Sequence, residues 1–205
     1  MTKKITSQTL SRLPIYFNYL TSLPESKKNG HISATSVAEA LGLNDVQVRK
    51  DLASVSRGGK PKIGYVTAEL IGDIGHFLGF ENHDGVIVAG MGNLGRAMLE
   101  NNGFSDYGFD ILCGFDCNKD IIGTKINGKP VYHICELSEF CRKENIRIGI
   151  ITVPERSAQE VCDIMIDAGI EYILNFAAVH LNAPRSVTVH NENISLTLAM
   201  LARCT

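Results

Sequence analysis

GVIVAGMGNLGRAML, residues 85–99, is the stretch whose reading decides the fold. It reads as a buried strand, a tight turn and the opening of a helix. Its glycines at 90, 92 and 95 fit G-x-G-x-x-G. In such a turn the first glycine lets the chain bend sharply. The second lets backbone approach a pyrophosphate with no Cβ in the way, and the third lets the helix pack close to the strand. A helix opening near Asn93 points its unpaired N–H groups and the positive end of its dipole at the same place. Gly90, Met91, Gly92, Asn93, Leu94 and Gly95 are therefore the expected cradle of a dinucleotide. A glycine turn in some other α/β domain is the alternative.

The flanking sequence favours the dinucleotide. Val86–Ala89 is the short apolar run that a parallel strand needs. A second run, DILCGFD, ends at Asp116, 21 residues after Gly95. That is where a strand-end acid hydrogen-bonds the ribose hydroxyls. Cys117, Asn118 and Lys119 follow it, with no arginine to take a 2′-phosphate, so NAD(H) is favoured over NADP(H). IRIGIITVP (146–154) reads as a third strand stopped by Pro154, with Thr152, Val153 and Pro154 bordering the adenosine half. YILNFAAV (172–179) reads as a fourth, placing Asn175 and Phe176 near the nicotinamide end, and RSVTVHN as a fifth. Lys125–Val131 reads as a hairpin-like excursion, and RSAQEVCDIMIDAGI as a helix closed at Gly169.

The balance of charge differs between the two halves. Residues 1–80 carry ten basic and six acidic side chains, a balance of +4, while residues 81–205 carry ten and sixteen, a balance of −6. Either the front half meets a polyanion or the charges are ordinary surface scatter. With 44% hydrophobic residues the chain can bury a core. It has no apolar run long enough for a membrane span and no secretory h-region near its start, so a cytoplasmic protein without a membrane partner is expected. The six cysteines show no C-x-x-C spacing and read as reduced, mostly structural thiols.

Within residues 1–80, LSRLPIYFNYLTSL (10–23) places Leu13, Tyr16, Phe17 and Leu20 at helical spacing, extended by Leu10 and Leu23, with Pro14 suited to a first turn. Two short helices follow. Ser33 caps the first, Gly42 turns the chain, and Asn44 caps the second with Gln47 as a capping-box partner. Val48, Leu52 and Val55 face inward. This is a helix-turn-helix pattern whose second helix shows Asp45, Gln47, Arg49, Lys50 and Ser54 outward. SRGGKPKIGYV (56–66) reads as a two-stranded hairpin, or wing, with Arg57, Lys60 and Lys62 at its tip. Asn44, Gln47, Arg49, Lys50, Arg57, Lys60 and Lys62 are the candidate DNA contacts, some for base edges and some for phosphates. A helical interaction module with a merely solvated basic face is the competing reading.

NISLTLAMLARC (193–204) is apolar nearly all round. Such a helix wants burial on more than one side, either on its own sheet or against a second subunit. No acid and base stand at a catalytic spacing, and a small dehydrogenase would lack a substrate domain, so an enzyme is not expected.

QVRKDL (47–52), GMGNLGRA (90–97), FD (115–116), PVYHI (130–134), ITVP (151–154) and ILNFA (173–177) occur together in this order. With them the chain resembles, over nearly its full length, the Rex family of redox-sensing transcriptional repressors. The resemblance implies an α/β protein with a winged helix-turn-helix domain over residues 1–80 and a Rossmann-type doubly wound parallel sheet over 81–191. It also implies a homodimer exchanging the C-terminal helix, residues 192–205. Members leave palindromic operators on double-stranded DNA when NADH rises, with NAD⁺ competing for the site. Three places depart from the family pattern. Asn101 stands where a tyrosine is usual and Asn193 where an aspartate is usual; with an arginine, for which Arg12 is the candidate, these link the nicotinamide to domain orientation. The wing is the third. The alternative expectation is the same scaffold with a weakened NADH response and a different operator.

Overall fold

The structure, a computed structural model, describes residues 5–203. Two compact units divide the chain between Glu81 and Asn82.

The first unit contains α1 (Ser7–Thr21), α2 (Glu25–Lys28), β1 (His31–Ile32), α3 (Ala34–Leu41), α4 (Asp45–Val55), β2 (Tyr65–Val66) and α5 (Thr67–Leu78). Helix α1 starts earlier than its apolar stripe suggests, because the Thr6 hydroxyl accepts the Thr9 N–H at 3.2 Å. Pro14 therefore lies inside the helix rather than in its first turn, removing one N–H from the ladder. Leu13, Tyr16 and Leu20 are fully buried, whereas Leu10 is half exposed and adds nothing to the stripe. They pack with Val37, Val48, Leu52, Leu70 and Ile74 into one core. Ser33 caps α3 through the Ser36 N–H, Gly42 turns the chain at φ 64°, and Asn44 caps α4 through the Gln47 N–H.

The wing is built differently from the expected hairpin. Strand β2 pairs antiparallel with β1, His31 opposite Val66 and Ile32 opposite Tyr65. Within 56–66 only one bridge forms, between Lys60 and Gly64. Gly64 explains the outcome: at φ 89° it lies so close to the Ile32 carbonyl that a Cβ there would collide with it. Only glycine lets the chain pass from the wing turn directly onto β1.

The second unit contains β3 (Asp84–Ala89), α6 (Asn93–Glu100), β4 (Phe109–Asp116), β5 (Lys125–Ile126), β6 (Lys129–His133), α7 (Leu137–Glu144), β7 (Ile148–Ile151), α8 (Glu155–Asp167), β8 (Tyr172–Asn175), β9 (Thr188–Asn191) and α9 (Ile194–Leu201). The sheet order is β5-β6-β4-β3-β7-β8-β9. Apart from the antiparallel edge strand β5, every neighbour pair is parallel. The six parallel strands thus run 3-2-1-4-5-6, the doubly wound order that puts a crevice beyond the carboxyl ends of β3 and β7.

Side chains alternate across the sheet as a period of two requires. Ile87 and Ala89 join Phe115, Leu137 and Met165 in one layer, while Val86 and Val88 join Met98, Leu99 and Ile111 in the other. Three expectations change. Lys129–His133 is a full strand paired with β4, not merely an excursion from it. Strand β7 ends at Ile151, so Pro154 does not stop it but caps α8. Strand β8 ends at Asn175, because that side chain organises the following turn, donating to the carbonyls of Ala177 and Val179 and accepting the Ala177 N–H.

Helix α9 is apolar and uncovered. Ile194, Leu196, Leu198, Met200 and Leu201 are 58% to 63% exposed. The helix ends at Leu201 with Ala202 as its C-cap, short of the expected end at Cys204, a residue outside the described ones. No described helix is long and apolar enough to cross a membrane.

Candidate functional site

The glycine turn stands at the crevice. Gly90 has φ 101°, and a Cβ on it would meet Thr152 and Val153 backbone atoms at 2.8 Å. A Cβ on Gly95 would strike the Gly90 carbonyl. Gly92 is the opposite case: a Cβ there meets no protein atom within 4 Å. The turn is therefore closed against β7 and α6 by two glycines and left open by the third. Gly92 also caps α6, so the N–H groups of Asn93, Leu94 and Gly95 form its free N-terminal turn. This is backbone shaped for a close anion, and it fits a dinucleotide pyrophosphate.

Around it lies a cavity of about 570 Å³. Gly90, Gly92, Asp116, Thr152, Val153 and Pro154, six of the residues nominated from the sequence, line it. The Asp116 carboxylate, at the end of β4, accepts the Met91 N–H at 2.6 Å and the Asn118 N–H at 2.8 Å. Both bonds hold it beside the turn, each carboxyl oxygen accepting one N–H. Thr152 shares its hydroxyl hydrogen between the carbonyls of Ala89 and Gly90, at 3.0 and 2.7 Å.

Other nominated residues sit elsewhere. The Met91 side chain is buried against Gly114, so only its backbone belongs to the turn. Phe176 borders a second, more open depression of about 610 Å³, which shares Val153, Pro154 and Arg156 with the first. Asn175 needs correction. It is fully buried, and its amide is occupied by Ala177, Val179 and Asn191, so it shapes the turn under Phe176 and presents nothing to a ligand. Sequence reading also missed Ile134, Arg156, Glu160 and Ile164 on the cavity wall. Arg156, Glu160 and Ile164 recur at helical spacing just after Pro154, a signal that was available. Cys113 is buried, and burial pushes its thiol pKa up, so it is an inert packing residue.

In the first unit, Arg49, Lys60 and Lys62 border a cleft of about 560 Å³ whose other wall is Ser33, Thr35 and Tyr65. Lys50 and Arg57 are exposed outside it. Arg49 is held by Asp45 one turn earlier at 2.7 Å. The capping-box expectation fails for Gln47. Its side chain does not return to Asn44 but donates to Asp51 at 2.9 Å. Asn44 is likewise occupied as a cap.

Asp51 is the residue that the sequence reading passed over. It is 2% exposed on α4, and five donors converge on its carboxylate. Thr9, Arg12 and Gln47 reach Oδ1 at 3.0, 3.1 and 2.9 Å; Arg12 and Tyr16 reach Oδ2 at 2.7 and 2.8 Å. Burial alone would push this carboxyl up, but the hydrogen bonds of Arg12, Tyr16, Gln47 and Thr9 outweigh it and hold its pKa below the usual range. The phenol of Tyr16 is pushed up to about 12 by its burial and by the neighbouring carboxylate. Arg12 thus clamps α4 to α1.

A basic helix-turn-helix with a wing, followed by a doubly wound unit with an open glycine turn, defines a DNA-binding regulator that carries a nucleotide-type domain. Comparison with known proteins agrees at both ends. Residues 4–53 match the family described as "Putative DNA-binding protein N-terminus", and residues 81–179 match the CoA binding domain family. The redox-sensing transcriptional repressor Rex of Porphyromonas gingivalis is 40% identical over 97% of this chain and 90% of its own length. That of Desulforamulus reducens is 39% identical over 97% and 94%. The Rex-family repressor RSP, solved with β-NAD⁺ and operator DNA, superposes with a TM-score of 0.90 at 31% identity, covering 98% of this chain and 92% of that one. RSP solved with β-NADH gives a TM-score of 0.86 at 30% identity, covering 98% and 93%. The chain belongs to the Rex family of redox-sensing transcriptional repressors. Its Rossmann unit accordingly serves regulation rather than turnover.

Proposed function

We propose that this chain represses transcription by binding a palindromic operator on double-stranded DNA, and that NADH at the glycine turn releases it, with NAD⁺ competing. The observation that carries the reading is the open space at Gly92, set between the α6 N-terminus and the Asp116 carboxylate. Bound there, NAD(H) is a signal whose redox state is reported, and no bond of it need change. Gly90 to Gly95 hold the pyrophosphate, and Asp116 accepts from the ribose. Thr152, Val153 and Pro154 border the adenosine half, and Phe176 lies toward the nicotinamide. Arg49, Lys50, Arg57, Lys60 and Lys62 meet the DNA. The working division is residues 1–80 for DNA, 81–191 for NAD(H) and 192–205 for dimerisation, in the cytoplasm.

The state of α9 supports a homodimer that exchanges this helix. Fully burying a large apolar side chain is worth about 1.5–3 kcal/mol, and five such side chains are exposed here. A second reading, the same scaffold with a weakened NADH response, is favoured by what Asn101 and Asn193 do. Asn101 accepts the Gly103 N–H at 2.7 Å, and Asn193 caps α9 through the Leu196 N–H at 2.9 Å. Both are engaged in local turns, and neither carries a charge. Gel-shift on a palindromic duplex, titrated separately with NADH and NAD⁺, tests the two readings. The first expects NADH to weaken binding far more than NAD⁺ does, as differential affinity for two states requires. Unchanged affinity at saturating NADH, with NADH binding seen by calorimetry, selects the second.

A further inference from the structure

The face that α4 turns away from its core is not the one its charges suggest. Val48, Asp51 and Leu52 are buried on one side. Gln47 leans toward Asp51 on one flank, and Arg49 is tied to Asp45 on the other. Between those flanks, opposite the core, run Val46, Lys50 and Ala53, spaced by four and three residues and so stacked on one stripe. All three are exposed, Val46 by 55%.

A valine more than half exposed in the first turn of a helix adds little to the fold. It is a weaker helix former than the charged residues that usually occupy such a position, and it leaves apolar surface in water. Its neighbours give the complementary charge. Lys50 lies one turn away on the same stripe, Arg49 beside it, and Lys60 and Lys62 on the wing. Residues 1–80 as a whole carry a balance of +4. A polyanion with an apolar group set among hydrogen-bonding edges matches this stripe. The major groove of double-stranded DNA has one such group, the C5 methyl of thymine.

We infer that Val46 reads a thymine methyl in the major groove, next to the base pair that Lys50 reaches, and so sets part of the operator sequence. The inference rests on the proposed binding of double-stranded DNA by α4. Recognition helices present their N-terminal residues to base edges, and Val46 is the second residue of α4. Val46 thus supplies sequence preference at one position, while Lys50 supplies affinity and a polar contact.

The test begins by selecting bound duplexes from a random-sequence DNA pool with the full-length protein. Each thymine of the selected half-site is then replaced by deoxyuridine, which keeps base pairing and removes only the methyl. One replacement is expected to weaken wild-type binding by about fourfold in one half-site and about fifteenfold in both, the loss of one buried methyl per site. Val46→Ala should bind the thymine duplex that much more weakly and should not distinguish it from the deoxyuridine duplex. Lys50→Ala should weaken binding to both while still distinguishing them. Val46→Ile, which keeps the branched surface, should restore the preference if Val46→Ala affects the fold. Wild-type affinity unchanged at every deoxyuridine, or a full thymine preference retained by Val46→Ala, overturns the inference and leaves DNA binding standing. A pool that yields no enriched duplex overturns DNA binding and the inference together.

Discussion

In the first unit, helix α4 is fixed by five hydrogen bonds that converge on one buried carboxylate; in the second, the nucleotide turn is fixed by Gly90 and Gly95, whose missing side chains let backbone touch backbone. One unit gains its geometry by adding polar side chains, the other by omitting carbon. The two arrangements fail differently. A polar cluster breaks when one partner is removed, because the rest are left buried and unpaired. A glycine turn breaks when anything is added.

The largest expected effect tests the carboxylate. Asp51→Ala should destabilise the first unit by about 3–5 kcal/mol, as breaking a buried ion pair does, seen as an earlier transition of that unit in urea. Asp51→Asn, which keeps the shape and part of the hydrogen bonding, should cost less. A first unit that unfolds at the wild-type midpoint after Asp51→Ala would mean that α4 is held by its apolar face alone.

Next comes the open glycine. Gly92→Val places a branched side chain in the space meant for phosphate, and NADH affinity by calorimetry should fall by about 100-fold or more, a loss of about 3 kcal/mol. DNA affinity without nucleotide should change by less than about twofold, since the substitution lies in a different compact unit from the DNA contacts and shares no partner with them. An equal loss in both would remove the contrast between the units.

The pH dependence of the first unit follows from the directions of two shifts. The folded pKa of Asp51 is depressed, so its contribution is present above the unfolded value of about 4 and is lost as pH falls through and below it. That of Tyr16 is raised to about 12, so its contribution is present below the unfolded value of about 10 and is lost as pH rises from there. Thermal melts should therefore show weakening of the first unit at both limits, and Asp51→Asn should flatten the acid limb. The smallest effect belongs to the wing. Lys62→Ala should lower the slope of log affinity against log salt by about one. Lys62 sits at φ 66°, so Lys62→Gly should lose the same contact yet stabilise the turn by about 0.5–1 kcal/mol.

The same comparison explains what could be read from the sequence. The glycine turn was legible because its demands fall on neighbouring residues: Gly90, Gly92 and Gly95 declare a backbone shape within six positions. Ser33, Gly42 and Asn44 were legible for the same reason. Asp51 was not, because Thr9, Arg12 and Tyr16 lie 42, 39 and 35 residues away. Without them it is an ordinary acid on an amphipathic helix. Gln47 shows where local logic fails: a capping box fits its spacing, but a buried acceptor one turn on takes its amide. The role of Asn175 is hidden because the apolar run continues past the true end of β8, and its partner Asn191 lies on a different strand. Strand β6 was half-legible, since its Asn127-Gly128 turn is local while its pairing with β4 is not.

The Thr152 hydroxyl has a consequence for ligand charge. The carbonyls of Ala89 and Gly90 lie where strand β3 runs into the glycine turn, one also accepting the Thr152 N–H and the other facing Gly95 of α6, and they carry partial negative charge at the foot of the turn. Thr152, one residue past the end of β7, donates its hydroxyl hydrogen to both. What the turn offers an approaching phosphate is the amide hydrogen of the α6 N-terminus. Valine at position 152 would keep the shape and take away that donor, so the charge at the foot of this crevice depends in part on a side chain outside the glycine motif.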